Sequence, residues 1–221
     1  RSRDRLQAAF SDVDWSQDSF GWLSVRVITL AGHLAVAMAV SFSGELAWEL
    51  HIPSAGLVDC HAALTAAGKP LGLAHFGLHA VESMRIEKGY RHWKADLITE
   101  FNPVESGLER FVKMDKQFVG KEALEAMIKA GPRRLFVSLE LGADDAPAHP
   151  GDSIIADGRV VGTVTSASWG HRVSRNLAMG FVDASFAVIG QSLQVEVIGE
   201  PVAATVCEPC RYDPENARVR S

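Results

Sequence analysis

Three cysteines in 221 residues are too few, and odd in number, for a disulfide framework, which excludes the small secreted scaffolds that depend on one. Free thiols fit a reducing compartment, and the cytoplasm is the expected location. Positive charge is not in excess either: 22 Lys and Arg stand against 27 Asp and Glu, for a net charge of −5. That removes the electrostatic footprint of a nucleic-acid binder or of a protein held to an anionic membrane, so neither partner is expected. No apolar run reaches the length of a membrane span, and no signal-peptide pattern is recognisable. GxGxxG, phosphate-loop and GxSxG patterns are all missing, which argues against a Rossmann-held cofactor within these residues. The serine of "SFSGE" lacks the glycines an esterase elbow needs. An initiator Met is also lacking: the sequence opens "RSRDRLQAAF", as a trimmed piece would.

What is present is an ordinary globular composition, 47 % hydrophobic, enough to core one large or two modest domains. Residues 1–21 read as a short helix and a polar loop broken by Asp12, Asp14, Ser16, Gln17 and Asp18. "WLSVRVITLAG" and "HLAVAMAVSF" read as two strands turning at Gly32, and "AWELHIP" as a third that Pro53 ends. In the second strand Val36, Met38, Val40 and Phe42 share one face, and Ala35, Ala37, Ala39 and Ser41 the other. "SAGLVDCHAALTAAG" predicts a helix with Ser54 as N-cap and Gly68 as its stop. A further helix from Leu73 should bury Phe76, Ala80, Val81 and Met84, and residues 117–131 should form a bridging helix. After Gly131-Pro132 the pattern changes to short alternating strands with an Asp157-Gly158 hairpin signal, the signature of a small antiparallel barrel. The fold class is therefore α+β, with domains at 1–131 and 132–221.

Few residues suggest chemistry unaided. Cys207 and Cys210 have zinc or redox spacing, but no second pair exists and no helix follows, so two incidental thiols at a strand end is the expectation. His75, His79 and Glu82 could share a helix face at metal-ligand spacing; a solvated polar face is the plainer account. Glu49 is the informative residue. It alternates with Trp48 and Leu50, and His51 follows on its own face. Paired with the preceding strand, that face should lie beside the Ala/Ser face, giving a small-residue floor with a carboxylate and room for a flat ligand. Alternation alone gives the solvent side of an antiparallel sheet.

"SFSGELAWELHIP", "FGLHAVESMRIEKGYRHW", "NPVESGLERFVKMDKQFVGKEAL" and "GRVVGTVTS", in this order, resemble the aminomethyltransferase-like family that includes the glycine-cleavage T-proteins. "MRIEKGYRHW" followed by "NPVESGLERFVK" is most similar to the tetrahydrofolate-binding C-terminal half of dimethylglycine and sarcosine dehydrogenases or oxidases. The resemblance implies a partial folate-binding α/β domain followed by a β-barrel, and a one-carbon transfer that forms 5,10-methylenetetrahydrofolate. The partners it implies are tetrahydrofolate, a one-carbon donor and an upstream flavin domain in cis, where FAD would sit. It also implies that Glu49 grips the pterin, with Leu50 and His51 along the same contact segment, while Glu45 stays with the turn and faces water. Phe42 stands where relatives carry Tyr, Arg110 where the dehydrogenases carry an aromatic, and Val81 where T-proteins carry Arg. Trp93 could line the folate site or pack in the core, and Arg172 and Arg175 could meet a polyglutamate tail. The family's catalytic acid falls upstream of Arg1, so no residue here is assigned that role and the chain alone is expected to be inactive. A folate-domain scaffold that has lost its ligand, or part of a stand-alone aminomethyltransferase, are the competing functions.

Overall fold

A computed structural model describes residues 2–142 and 146–221; Arg1, at the start of the first predicted helix, lies outside them. The chain forms two compact units, one running through Val81 and including Asp213–Ser221, the other Glu82–Tyr212.

In the first unit α1 (Ser2–Ala9) is followed by a three-stranded antiparallel sheet of β1 (Val25–Leu30), β2 (His33–Met38) and β3 (Glu49–His51), in that order, and by α2 (Leu57–Gly68). The hairpin turns on Ala31 (φ 46°) and Gly32 (φ 81°), both left-handed, the geometry that matches the twist of the paired strands. Burial reverses what residue size suggests. Ala35 and Ala37 on β2, and Ala39 just after it, are buried, at 3 %, 0 % and 2 % exposure, because they pack in one cluster with Phe10, Trp15 and Phe20. Trp15 stacks on Phe20 at 5.4 Å and meets the edge of Trp48 at 5.8 Å, so small side chains on the strand accommodate large rings opposite. Leu34 and Val36 face outward, at 66 % and 36 %.

Helix boundaries depart from the sequence pattern for local reasons. Residues Ser54–Gly56 form a 3₁₀ turn, and no side chain caps α2. The helix passes through Gly68 and its continuation ends at Gly72 (φ 70°). Gly68 is needed for packing: a Cβ there would lie 2.5 Å from a Leu73 methyl carbon. Next comes α3 (Leu78–Glu87), which starts five residues later than its apolar spacing suggests. Phe76 and Leu78 are 67 % and 80 % exposed, so the expected core face of this helix is not buried there.

In the second unit α4 (Lys121–Ala130) begins after Gly120 (φ 88°) and precedes a closed barrel. Its strands are β4 (Arg134–Leu141), β5 (Ser153–Ala156), β6 (Arg159–Gly170), β7 (Arg175–Asp183), β8 (Ser192–Val197) and β9 (Glu200–Cys207), ordered β4-β7-β6-β5-β8-β9. Closure leaves no free edge. Leu139, Ile154, Val161, Val182 and Val195, all at 0 %, fill the interior, each contributing about 1.5–3 kcal/mol by burial. Residues 82–131 pack with this barrel: Phe101 stacks on Phe181, and the Phe136 amide donates to the Glu105 carbonyl. The compact unit therefore starts at Glu82, upstream of the compositional break at Gly131.

Candidate functional site

The sequence alternation around Glu49 holds, and it fixes where the carboxylate points. Leu50 pairs with Ala37 and packs on the buried cluster, as does Trp48 just before the strand. Anchored on both sides, Glu49 and His51 project from the opposite face. The register then corrects the expected floor. Residues directly opposite in an antiparallel pair share a face, and Glu49 lies opposite Met38, His51 opposite Val36. On the far strand Met38 faces Val25 and Val36 faces Val27. The carboxylate thus stands beside a strip of Val25, Val27, Leu34, Val36 and Met38, and the alanines lie on the other side of the sheet. Leu50 is a core anchor rather than a surface contact.

This strip is open rather than a closed hollow. Val25 and Val27 are 59 % and 65 % exposed, and the Glu49 side chain is 53 % exposed. A sheet face that simply met water would carry polar residues; contiguous exposed valine and leucine mark a surface made to be covered. Glu49 Oε2 lies 3.5 Å from His51 Nε2, an ion pair whenever the imidazole is protonated. Phe42, 37 % exposed, is in the loop that links β2 to β3. Glu45, expected to face water, is partly buried in that loop.

Trp93 and Arg110 belong to the second unit. Trp93 is 71 % exposed, which rules out core packing, and it walls an open cavity of about 490 Å³ with Leu97, Ile98, Phe101, Pro103 and Leu108. Arg110 sits in a 3₁₀ turn, Glu109–Phe111, with its guanidinium 4.6 Å from the centre of the Phe111 ring. Arg91 lies over Phe136, and its pKa is lowered from the ordinary arginine value, chiefly by burial, with Asp96 opposing the shift.

Arg172 and Arg175 are engaged within the unit rather than held ready for an anionic tail. Arg172 pairs with fully buried Glu87, donates to the Met84 carbonyl at 2.6 Å and stacks 3.8 Å from the Tyr212 ring centre. Arg175 pairs with Glu140 at 2.9 Å. Glu82 binds Arg85, and the rings of His61 and His75 stack at 5.4 Å. No metal-ligand cluster of three or more His, Cys, Asp or Glu is found among the described residues.

All three cysteines are free. Burial pushes the Cys207 thiol up to about 11, whereas Cys210 is partly exposed with its Sγ 3.2 Å from the Tyr212 carbonyl. At pH 8 the Cys207 thiolate fraction is on the order of one in a thousand, and the thiolate is the nucleophile. Brief iodoacetamide treatment of native protein at pH 8, read by peptide mass, should modify Cys210 and spare Cys207. Equal labelling, or a Cys207–Cys210 disulfide, would contradict this environment.

The sequence reading missed the buried charges Arg85, Glu87 and Asp96, at 2 %, 0 % and 0 % exposure. Their signal was available: "MRIEKG" puts Arg85 and Glu87 on either side of core residue Ile86, in a helix whose exposed half lies elsewhere.

The fold is a three-stranded antiparallel sheet with helices and a closed barrel, and comparison with known proteins defines the class. The family model described as "GCVT N-terminal domain" matches residues 1–116, and that described as "Glycine cleavage T-protein C-terminal barrel domain" matches residues 133–213. The chain belongs to this glycine cleavage T-protein family. Sarcosine dehydrogenase, mitochondrial, of Mus musculus is 37 % identical over 229 residues, covering 99 % of this chain and 25 % of that protein. Dimethylglycine dehydrogenase, mitochondrial, of Mus musculus is 32 % identical over 218 residues, covering 98 % and 25 %. The chain is thus homologous to a region of these dehydrogenases and spans about a quarter of their length. The crystal structure of glycine cleavage system aminomethyltransferase T from Bartonella henselae superposes with a TM-score of 0.82 at 22 % identity, over 94 % of this chain and 57 % of that one, a likeness of fold. Among the described residues no helix is long and apolar enough to cross a membrane.

Proposed function

We propose that this chain is the tetrahydrofolate-binding, methylene-transferring region of a dimethylglycine/sarcosine-type flavoenzyme, in which FAD belongs to an upstream domain in cis. The observation that carries the reading is a carboxylate, Glu49, held at the edge of an exposed apolar sheet face in a chain whose dehydrogenase relatives match it from end to end. Tetrahydrofolate, when bound, supplies the ring nitrogens that take up a one-carbon unit at the formaldehyde level. The residues here fit it. Three strands spaced about 4.8 Å apart give a floor about 10 Å across, the breadth of a bicyclic ring.

Glu49 accepts two parallel N–H groups, N3–H and the 2-amino group of the pterin, through its two carboxylate oxygens. The strip of Val25, Val27 and Val36 removes water from beneath the ring, which strengthens those bonds and rejects rings lacking the donor pair. His51 steadies the carboxylate from the adjacent position on the same strand. Phe42 adds a ring beside the sheet, and Trp93 and Arg110, which belong to the other unit, are folate contacts in their own right, the ring by stacking and the guanidinium by its planar cationic face. No residue of this chain is given the role of catalytic acid. The domain division at 1–131 and 132–221 and the cytosolic location are part of the proposal; the free thiols suit a reducing compartment, and the two mouse dehydrogenases are described as mitochondrial.

Titration of tetrahydrofolate into the full-length gene product, followed by tryptophan fluorescence, tests the reading. Saturable one-to-one binding is expected. Full-length protein that binds no reduced folate would favour a scaffold that has lost its ligand.

A further inference from the structure

We propose that Asp96, clamped by Arg85, is a positioning residue: it fixes the backbone knot that carries Trp93 and so sets the wall of the open apolar cavity this ring lines, a face on which a ring of a reduced folate packs. The inference rests on the functional reading above, which makes Trp93 a ligand contact.

Trp93 is 71 % exposed, so side-chain packing does not hold it; the backbone beneath it must. That backbone is a tight knot. The amides of Ala95, Asp96 and Leu97 all donate to the His92 carbonyl, at 3.3, 2.9 and 3.2 Å, and Lys94 donates to the Leu97 carbonyl at 3.1 Å. Lys94 takes a left-handed conformation, φ 70°, which a lysine adopts only when its surroundings impose it.

The surroundings that impose it converge on one carboxylate. Asp96 is fully buried and accepts four hydrogen bonds. Arg85 Nη1 and the His92 amide, each at 2.7 Å, donate to Oδ2. The hydroxyls of Thr165 and Ser166 on β6 donate to Oδ1. Arg85 is equally saturated: it grips Glu82 through Nε and Nη2, Ser166 through Nη2, and the Tyr90 carbonyl through Nη1 at 3.1 Å. The pair therefore holds the chain at Tyr90 and His92 before Trp93 and at Asp96 after it, and ties all three to α3 and a barrel strand. A fully satisfied buried network of this kind is rigid. Because all four bonds to Asp96 are donated to it, an amide in its place must turn its NH₂ toward two donors, whichever way it flips.

A double-mutant cycle on the full-length gene product tests the proposal. Trp93→Ala and Asp96→Asn should each raise the Kd for tetrahydrofolate about tenfold, and the double variant should be no worse than the weaker single, since both act through one ring. Additive losses, or an Asp96→Asn protein of unchanged Kd, overturn it. Where Asp96→Asn does not accumulate folded, Thr165→Val removes one donor and keeps the ion pair; it should weaken binding about threefold, and not at all on the Trp93→Ala background. A second readout needs no ligand. With 5-fluorotryptophan incorporated, the Trp93 fluorine line, assigned through Trp93→Phe, should be single and narrow in the wild type and broadened or split in Asp96→Asn or Thr165→Val, with the Trp15 and Trp48 lines unmoved. An unchanged Trp93 line, or equal change in all lines, overturns the clamp. Wild-type protein that binds no folate removes the functional reading and with it the ligand role of Trp93, while the fluorine line still decides whether Asp96 fixes the ring.

Discussion

Replacing Glu49 with alanine in the full-length gene product should weaken tetrahydrofolate binding about 10- to 150-fold and, under the proposed function, leave amine oxidation by the proposed upstream flavin domain unchanged. The magnitude follows from the bonds removed. A charge-assisted hydrogen bond contributes about 1.5–3 kcal/mol net, and each 1.4 kcal/mol is tenfold in Kd. Glu49 is half exposed, so truncation lets water reach the site and should not disturb the fold. Glu49→Gln is more instructive, because a neutral amide of the same shape presents one acceptor and one donor to two donors. Its loss should approach that of alanine. A Glu49→Gln protein of wild-type affinity would mean that shape, and not the paired acceptors, is what the ligand reads. Equilibrium titration of the two variants separates these outcomes.

A large stability effect is expected at Arg172. Its partner Glu87 has no exposed surface and also takes the backbone N–H of Arg172 at 2.6 Å and of Val173 at 3.1 Å. Arg172→Leu removes the compensating charge and the stacking on Tyr212, leaving a carboxylate in the interior with amide donors alone. Breaking a buried pair from one side costs about 3–5 kcal/mol. For a protein of this size that lowers the melting temperature of the barrel-containing unit by on the order of 10 °C. Arg175→Ala is the control. Its side chain is 54 % exposed, and Glu140 keeps Arg211 at 2.7 Å, so its effect should stay within about 0.5 kcal/mol. Calorimetry of both variants in the full-length protein checks the contrast; comparable losses would show that burial does not govern these pairs.

The parts of the fold that sequence makes legible are those written in local chemistry. Asp157-Gly158, both at positive φ, announces the β5–β6 hairpin, and alternation along "LFVSLEL" and "LQVEVI" announces barrel strands. Faces are harder. Residue size suggested that Val36 and Met38 face the core, yet the buried side of β2 is alanine, because what decides is the rings opposite, Trp15 and Phe20, and these come from another part of the chain. The same non-local cause hid the register that puts Glu49 across from Met38 instead of beside the alanines. Gly68 reads as a helix stop in one dimension and as a seat for Leu73 in three. Buried charges are the least legible, since Arg85 and Asp96 look like surface residues until β6 supplies Thr165 and Ser166 as partners. At the candidate site the outward direction of Glu49 could be read, whereas Leu50, drawn in by its neighbour in sequence, is an anchor.

Following a labelled carbon tests the folate assignment most directly. Full-length protein is given an N-methylglycine labelled with ¹³C in the methyl group, tetrahydrofolate, and an excess of an amine trap that removes formaldehyde released into solution. If Glu49 holds the heterocycle against the valine strip, the label reaches the methylene carbon of the folate product in the wild type and passes to the trap in Glu49→Ala. Label divided between folate and trap to the same degree in both proteins would mean that this chain does not capture the one-carbon unit.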